Sequence, residues 1–285
     1  MREVMGLKTP LKIDLCMWTK NGEASLPKVL EQIDKVIPHE NVCCKILVDD
    51  NSTDRTTKIA EEYGWKIYSN PSHGVPSGAN EALRHVDQEF FASFEQDVLL
   101  SPFWWSKMQK YMNDPQVGCA QGIRVSTQPM LRAIDQWQYA NQHEKLWFSL
   151  DNNVFRTKTV RTLQGFPETC PVFCDSELVK RFQNQSYKWI VDMNVVSLHI
   201  RSGLKESVNH QFKLMDICSS CQHSPECVSK GKPNLKNMLK IFITSPIRGI
   251  QIANRQNCPK AIFAYPLVRF YYVDATLKFW KKDKR

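Results

Sequence analysis

The chain has 285 residues, of which 42% are hydrophobic and 11% aromatic, a composition typical of a globular protein and not of a disordered one. No uninterrupted apolar run approaches the ~18–20 residues that cross a bilayer, and residues 1–15 lack the apolar core of a secretion signal, so we expect neither a spanning helix nor secretion. The net charge of +9 belongs to the C-terminal fifth, since residues 228–285 hold 13 basic and 2 acidic side chains, and the near-neutral remainder disfavours a nucleic-acid-binding protein.

The first hundred residues alternate between predicted strands and helices. Short apolar runs predict strands at 11–18, 45–48, 65–68 and 90–94. Helical spacing of apolar residues predicts helices between them, at 26–37, 53–64 and 77–86. This alternation predicts an α/β fold with a mostly parallel sheet that is covered by helices.

Beyond residue 100 the pattern is weaker. It predicts helices at 102–112 and 134–148 and a strand at 189–200. The glycine-rich motifs of dinucleotide-binding folds and of P-loop proteins are absent from the sequence, which disfavours both classes. In open parallel sheets, ligands bind at the carboxyl ends of the strands, where Thr19, Asp50 and Asp97 fall.

Two acidic clusters follow predicted strands. Glu95 and Asp97, in the segment Glu-Gln-Asp, are carboxylates of the kind that Mg²⁺ binds together with substrate phosphates, but they also suit an ordinary polar turn. Asp50 can accept a hydrogen bond from a ribose or a base, although Asp-Asn-Ser-Thr-Asp is also common in turns and helix caps. Neither cluster alone decides between these interpretations.

The order and spacing of these segments resemble the family 2 glycosyltransferases. The resemblance is carried by VDDNSTDRT at 48–56, by a helix that contains Asn80, and by FEQDVLL at 94–100. The loop Trp18-Thr19-Lys20-Asn21-Gly22 is similar to the family's first nucleotide-contacting loop.

The second half of the family pattern is present as well. NVFR at 153–156, GFP at 165–167 and CDSEL at 174–178 resemble the acceptor-side block, and His199 resembles a late family histidine. The resemblance covers residues 11–205.

The resemblance implies a GT-A fold, which is a Rossmann-like sheet flanked by helices. It also implies a nucleoside-diphosphate sugar as donor, Mg²⁺ or Mn²⁺ as cofactor, and a single inverting displacement. Similar family members include the dolichyl- and polyprenyl-phosphate sugar synthases and other transferases of lipid-linked glycans. We therefore expect a glycan or a polyprenyl-phosphate-linked acceptor.

The resemblance also implies roles for single residues. Asp175 would be the catalytic base, and the metal would be held by Glu95, Asp97 and His199. His199 could also contact a phosphate, or it could be a hydrogen-bonded core histidine at a strand end. The residues expected to contact the donor are Trp18, Thr19, Asn21, Asp50, Asn80 and Asp97.

Two positions depart from the family pattern. Glu95 replaces the first aspartate of the usual D-x-D, and Cys174 replaces the glutamate that usually precedes the base. Glutamate also binds Mg²⁺. The replacement of the family glutamate by Cys174 supports one alternative, a catalytically impaired GT-A-like protein that binds nucleotide sugars. Arg181 is expected to pair with Glu177, four residues earlier on a helix.

Ten cysteines are present, and a disulfide framework is not expected because Cys43 and Cys44 are adjacent and no secretion signal is seen. Four candidate metal ligands lie close together: Cys218, Cys221, His223 and Cys227. Their spacing is compatible with a structural Zn²⁺ site, with an iron–sulfur site, or with a loop of free thiols. A zinc-dependent nucleic-acid-binding module is therefore a further alternative function.

The C-terminal segment combines aromatic and apolar residues with many cations. It suits helices that lie on an anionic membrane surface, and equally two helices packed on the body of the protein. We favour the membrane surface and expect a cytoplasmic protein, peripheral on the inner face of the cell membrane. The predicted domains are a GT-A domain at 1–205, a cysteine-rich insert at 206–232 and a helical tail at 233–285.

Overall fold

Eight strands form one mixed sheet in the computed structural model, which describes residues 11–141, 148–169, 174–201, 203–204, 209 and 235–282. The strands are β1 (Ile13–Thr19), β2 (Val42–Asp49), β3 (Lys66–Ser69), β4 (Phe90–Glu95), β5 (Val98–Leu99), β6 (Val117–Ser126), β7 (Asn153–Arg156) and β8 (Lys188–His199). Their order across the sheet is β3-β2-β1-β4-β7-β6-β8-β5. Only β7 and β5 run against the other described strands, so the mostly parallel sheet is confirmed.

The described α-helices cover the sheet and extend beyond it. They are α1 (Leu26–Val36), α2 (Thr56–Glu62), α3 (Val75–Arg84), α4 (Trp104–Tyr111), α5 (Pro129–Ala140), α6 (Thr157–Thr162), α7 (Cys174–Asn184), α8 (Leu235–Arg255) and α9 (Ala261–Lys282). A proline lies in the first turn of α1, α3 and α5, where its missing N–H breaks no helical hydrogen bond.

Strand β1 is buried on both faces because side chains alternate across a strand. Ile13 and Leu15 pack into the hydrophobic core on one side of the sheet, whereas Cys16 and Trp18 pack into the core on the other side. This double burial explains why apolar residues occupy consecutive positions from Leu15 to Trp18 instead of every second one.

The predicted elements are confirmed to within a few residues up to α4, and so is the strand expected at 189–200, which is β8. The chain between α4 and β8 differs from the prediction. The helix expected at 134–148 begins earlier, at Pro129, and ends at Ala140, while residues 142–147 lie outside the described part. The sequence pattern also missed β6, which contains Gly118, Gln121 and Gly122. These residue types disfavour a strand prediction, and the strand is stabilised instead by its pairing with β7 and β8.

Helices α8 and α9 form an antiparallel pair that we call the C-terminal hairpin. They approach closely at Gly249, where a Cβ would lie 2.9 Å from the carbonyl oxygen of Ile262. The hairpin packs on α5 in a small core of its own, to which Trp137, Ile252 and Tyr265 contribute. Among the described residues, none of the helices combines the length and apolar character that a bilayer crossing requires.

We expect Gly122→Ala to destabilise the sheet. The pairing of β6 with β8 shifts register at this residue, and a Cβ would lie 3.0 Å from the carbonyl oxygen of Val195. That oxygen belongs to the backbone and cannot rotate away, so the substitution should lower the free energy of unfolding by about 1–3 kcal/mol. Urea denaturation measures this change. An unchanged midpoint would show that β8 moves aside without cost.

Candidate active site

Asp50 lies where the carboxyl ends of β1, β2 and β4 meet, as their parallel pairing requires. Its Oδ2 atom accepts hydrogen bonds from Lys20 Nζ and from the backbone N–H of Gly74, each at 3.3 Å. Its Oδ1 atom lies 2.6 Å from Nδ1 of His73. Burial acts to raise the pKa of Asp50, but these hydrogen bonds outweigh it and hold the pKa below its ordinary value. The result is an ionised carboxylate at the strand ends.

Gln96 ties the loop after β4 to the loop after β1. Its Oε1 atom accepts the N–H of Lys20 at 2.8 Å, and its Nε2 atom donates to the carbonyl of Lys20 at 3.0 Å. Gly22 makes this approach possible, because a Cβ there would lie 2.7 Å from Gln96 Oε1. The two loops therefore present their side chains as one surface.

Asp97 forms a hydrogen bond with His199. Nε2 of His199 lies 3.0 Å from Oδ2 of Asp97, and Nε of Arg201 donates to Nδ1 of His199 at 3.3 Å. Since arginine can only donate, the proton of a neutral His199 lies on Nε2 and points to Asp97. Burial acts to raise the pKa of Asp97, but the histidine hydrogen bond and nearby cations outweigh it and lower the pKa.

Arg124, on β6, forms ion pairs with two carboxylates. It contacts Oε2 of Glu95 at 2.8 Å and also Asp151, whose side chain is only 1% exposed. Two carboxylates therefore share one guanidinium. Loss of water around Glu95, reinforced by the charge of Asp151, raises the pKa of Glu95 to about 8, although Arg124 acts in the opposite direction.

Glu95, Asp97 and His199 together fit a divalent metal ion. One ligand atom from each residue lies within 4.8 Å of the ligand atoms of the other two. Two carboxylates and an imidazole are a donor set that Mn²⁺ or Mg²⁺ accepts, with substrate oxygens completing the coordination. The two interpretations of His199 are therefore compatible, since it is hydrogen-bonded at a strand end and also lies close to Glu95 and Asp97.

Asp175 lies in the first turn of α7 and belongs to the same charged cluster. Its Oδ1 atom accepts the N–H of Ser176 at 2.6 Å. Burial raises the pKa of Asp175 above its ordinary value, while the contact with Ser176 and the charge of Arg124 act in the opposite direction. The preceding Cys174 is buried in the hydrophobic core, so the carboxylate usual at that position is replaced by a core side chain.

Four of the predicted donor-contacting residues shape the loops around the site. Trp18 is buried with its indole against Phe166, and the carbonyl of buried Thr19 accepts the N–H of Asp50. Oδ1 of Asn21 accepts the N–H of Thr53 at 2.8 Å. Asn80 exchanges hydrogen bonds with the backbone of Phe166, at 2.7 and 2.9 Å. Direct contact of these side chains with a nucleotide stays a prediction.

The sequence analysis missed three charged residues of this site. Arg124 and Asp151 are described above, and Asp135 on α5 accepts the N–H of Ser126 at 2.8 Å. Burial raises the pKa of Asp135, against the charges of Arg201, His199 and Arg124. One signal was present, because Arg124 is the sole charged residue of β6, in a segment whose other residues are apolar or neutral.

Comparison with known proteins establishes the family. The model of glycosyl transferase family 2 matches residues 14–167, which is more than half of the chain. The chain belongs to glycosyl transferase family 2. It is therefore a glycosyltransferase, and the family resemblance inferred from the sequence is confirmed. No curated protein sequence matches the chain.

Solved structures confirm the GT-A fold of this glycosyltransferase. The mannosyltransferase PcManGT from Pyrobaculum calidifontis, in complex with GDP-Man and Mn²⁺, has a TM-score of 0.65 at 17% identity, with 96% of this chain and 88% of that chain covered. TarS of S. aureus, in complex with UDP, has a TM-score of 0.53 at 14% identity, with 96% and 91% covered. Glucosyl-3-phosphoglycerate synthase from Mycobacterium tuberculosis, with Mn²⁺ and UDP, has a TM-score of 0.53 at 14% identity, with 75% and 81% covered.

Two further predictions concern other parts of the chain. Arg181 pairs with Glu177 at 2.6 Å, so the expected structural ion pair is confirmed. The candidate zinc ligands Cys218, Cys221, His223 and Cys227 lie outside the described residues, and the zinc site stays a prediction.

We expect Arg124→Gln to destabilise the protein, because it leaves the buried carboxylate of Asp151 without its cation. Breaking a buried pair in this way costs about 3–5 kcal/mol. The double variant Arg124→Gln with Asp151→Asn should recover most of this loss, since the fully buried carboxylate is then removed, while Glu95, whose side chain is 29% exposed, keeps contact with water. Denaturant unfolding of both variants tests the expectation. Wild-type stability in the single variant would contradict it.

Proposed function

We propose that this glycosyltransferase moves a sugar from a nucleoside-diphosphate sugar to an acceptor hydroxyl with inversion at the anomeric carbon. The observation that carries the proposal is the cluster of Glu95, Asp97 and His199 within 4.8 Å, at the same sheet edge as Asp50. The named complexes of structural relatives, with GDP-Man or UDP and Mn²⁺, support a donor and a cofactor of this kind.

Asp50 is the candidate for recognition of the nucleoside. Its lowered pKa keeps it an acceptor, and a ribose hydroxyl or a base N–H can donate to it. Lys20 contacts this carboxylate and, as a cation at the same edge, suits the diphosphate. Trp18, Thr19, Asn21 and Asn80 would then act by holding the loops that surround the donor.

Glu95, Asp97 and His199 would hold Mg²⁺ or Mn²⁺. When bound, the ion neutralises charge that develops on the diphosphate leaving group. The protein supports this site through Arg124, which orients Glu95 and limits its movement before a donor arrives. Coordination through Nε2 of His199 would require the proton on that atom to leave, so the ion would replace the hydrogen bond between His199 and Asp97.

Asp175 would take the proton of the acceptor hydroxyl while the hydroxyl oxygen attacks the anomeric carbon. A single displacement of this kind breaks the bond to the diphosphate as the new glycosidic bond forms, and so inverts the configuration. Burial raises the pKa of Asp175, which makes its ionised form a stronger base than an exposed aspartate.

A glycan or a polyprenyl-phosphate-linked molecule is the acceptor class that we propose. The support is the strongly basic C-terminal segment, which suits a reaction next to an anionic membrane surface. Peripheral association with the inner face of the cell membrane is part of the same proposal.

Asp97→Asn should remove metal-dependent donor binding. An amide is a much weaker ligand than a carboxylate for a divalent cation. We expect one of the UDP-, GDP- or dTDP-sugars to raise the melting temperature of the wild-type protein with Mn²⁺, and this shift to disappear in the variant. Glu31→Gln, an exposed substitution on α1, is the control and should keep the shift. Equal stabilisation of the Asp97 variant with and without Mn²⁺ would contradict the metal assignment.

Asp175→Asn should reduce turnover by about 10²–10⁴-fold, the usual contribution of a general base, while donor binding persists. Glu177→Gln, on the same helix, should keep near-normal turnover. In the wild-type enzyme, kcat/KM should fall as the pH drops through the raised pKa of Asp175, above the ordinary aspartate value of about 4. Turnover within a few-fold of wild type in the Asp175 variant would remove this residue from the base role.

A further inference from the structure

Helix α8 carries an exposed apolar stripe. Leu239, Ile243, Ile247 and Ile250 follow one another at spacings of four, four and three residues, which places them on one face of the helix. All four side chains are exposed, and Ile243 reaches 66%. Contiguous exposed apolar surface of this kind marks contact with another apolar phase.

Helix α9 continues the same feature. Phe263, Leu267 and Tyr271 are exposed at a regular spacing of four residues, and Phe263 is 80% exposed. Between the two helices, the rings of Phe242 and Phe270 stack with centroids 4.8 Å apart. The two helices therefore contact each other beside these stripes, and we call the exposed apolar residues of both helices the apolar hairpin surface.

A cavity of about 440 Å³ lies between the hairpin and α5. Its described lining consists of two arginines, two aromatic side chains and three amides, and it includes no acidic side chain. The lining residues are Trp137, Gln138, Asn141, Arg248, Gln251, Tyr265 and Arg269. The guanidinium of Arg248 lies 5.9 Å from the centre of the Trp137 ring. Within the described part of the chain, no carboxylate pairs with Arg248. Arginine and amide donors of this kind recognise a phosphate group.

The positive charge of the hairpin distinguishes between two possible partners of its apolar surface, a second copy of the chain and an anionic membrane. Residues 235–282, which form the hairpin, hold 9 basic side chains and 1 acidic side chain. A second copy of the chain would bring two strongly positive surfaces together, which is unfavourable. An anionic membrane surface offers apolar chains to the stripes and phosphates to the cations.

Helix α5 connects this cavity with the active site. Asp135 binds Ser126 beside the catalytic cluster, and Gln138, one helical turn further along, lines the cavity. On the same helix, Ala133, Ile134 and Trp137 pack against the hairpin. A headgroup in the cavity would therefore lie next to the helix that borders the site of transfer.

We propose that the C-terminal hairpin docks on an anionic membrane, with the apolar hairpin surface in the interface and a lipid phosphate in the cavity at Arg248 and Arg269. The phosphate belongs to a lipid headgroup of the bilayer. The proposal rests on the proposed function only in that the acceptor would lie in the same membrane. Docking itself requires neither donor nor turnover.

Flotation with vesicles of phosphatidylcholine, with and without phosphatidylglycerol, tests the proposal on the full chain. The wild-type protein should float with the anionic vesicles only, and less at high salt. Arg248→Gln with Arg269→Gln should weaken binding by about thirty-fold, the typical contribution of two cations near an anionic surface. Lys28→Gln with Lys58→Gln, which removes two exposed charges from the body, is the matched control and should bind as wild type.

Ile243→Ser with Phe263→Ser tests the apolar contribution and should also release the protein from anionic vesicles. Melting temperature and donor-induced stabilisation are measured for each variant, so that a folding defect or a failed donor assignment is seen separately. Wild-type protein that ignores anionic vesicles overturns the proposal, as does unchanged flotation of the Arg248/Arg269 variant or of the Ile243/Phe263 variant. Binding of inorganic phosphate at Arg248 and Arg269 that leaves flotation unchanged at constant ionic strength would overturn the headgroup assignment in favour of a free-phosphate site. Concentration-dependent dimerisation that the serine substitutions abolish would assign the surface to a second copy.

Discussion

Arg124 is the cation around which the charged residues of the active site are arranged. Asp151 is almost fully buried, and its charge is tolerable only because the guanidinium lies against it. The same guanidinium orients Glu95 and acts on the charge of Asp175. The candidate metal ligand Glu95 and the candidate base Asp175 come from distant parts of the chain. Both nevertheless interact with the same cation, Arg124. Because a pKa of about 8 leaves Glu95 largely protonated near neutral pH, a divalent cation that binds there would displace this proton.

The order of the strands in the mixed sheet places Arg124 beside the active-site carboxylates. Arg124 lies on β6, which is separated from β4 by the antiparallel strand β7. Strand β8 pairs with β6 and ends at His199, while the short strand β5 pairs with β8 just after Asp97. The late histidine and the Glu-Gln-Asp segment therefore meet although about a hundred residues separate them along the chain.

The first half of the fold was predictable because its signals are local. β1, β2 and β4 are apolar runs that end in polar clusters, and parallel pairing alone places Asp50 and Asp97 at one edge. The second half was not predictable in the same way. β6 contains glycines, a glutamine and an arginine, and it is a strand because of its neighbours in the sheet. Arg124, Asp151 and Asp135 acquire their roles from that non-local pairing, so no short sequence pattern identifies them.

The pairing of Gln96 with the backbone of Lys20 has a consequence for the evolution and engineering of donor choice. Position 96 has no free choice of side chain, because a primary amide is needed to accept the N–H and donate to the carbonyl of one residue, Lys20, and Gly22 must leave room for it. The loop after β1 and the loop after β4 are therefore expected to change together in evolution. A chimera that exchanges the first loop for that of another transferase would need to carry the residue at position 96 along with it, or the two loops would lose their common alignment.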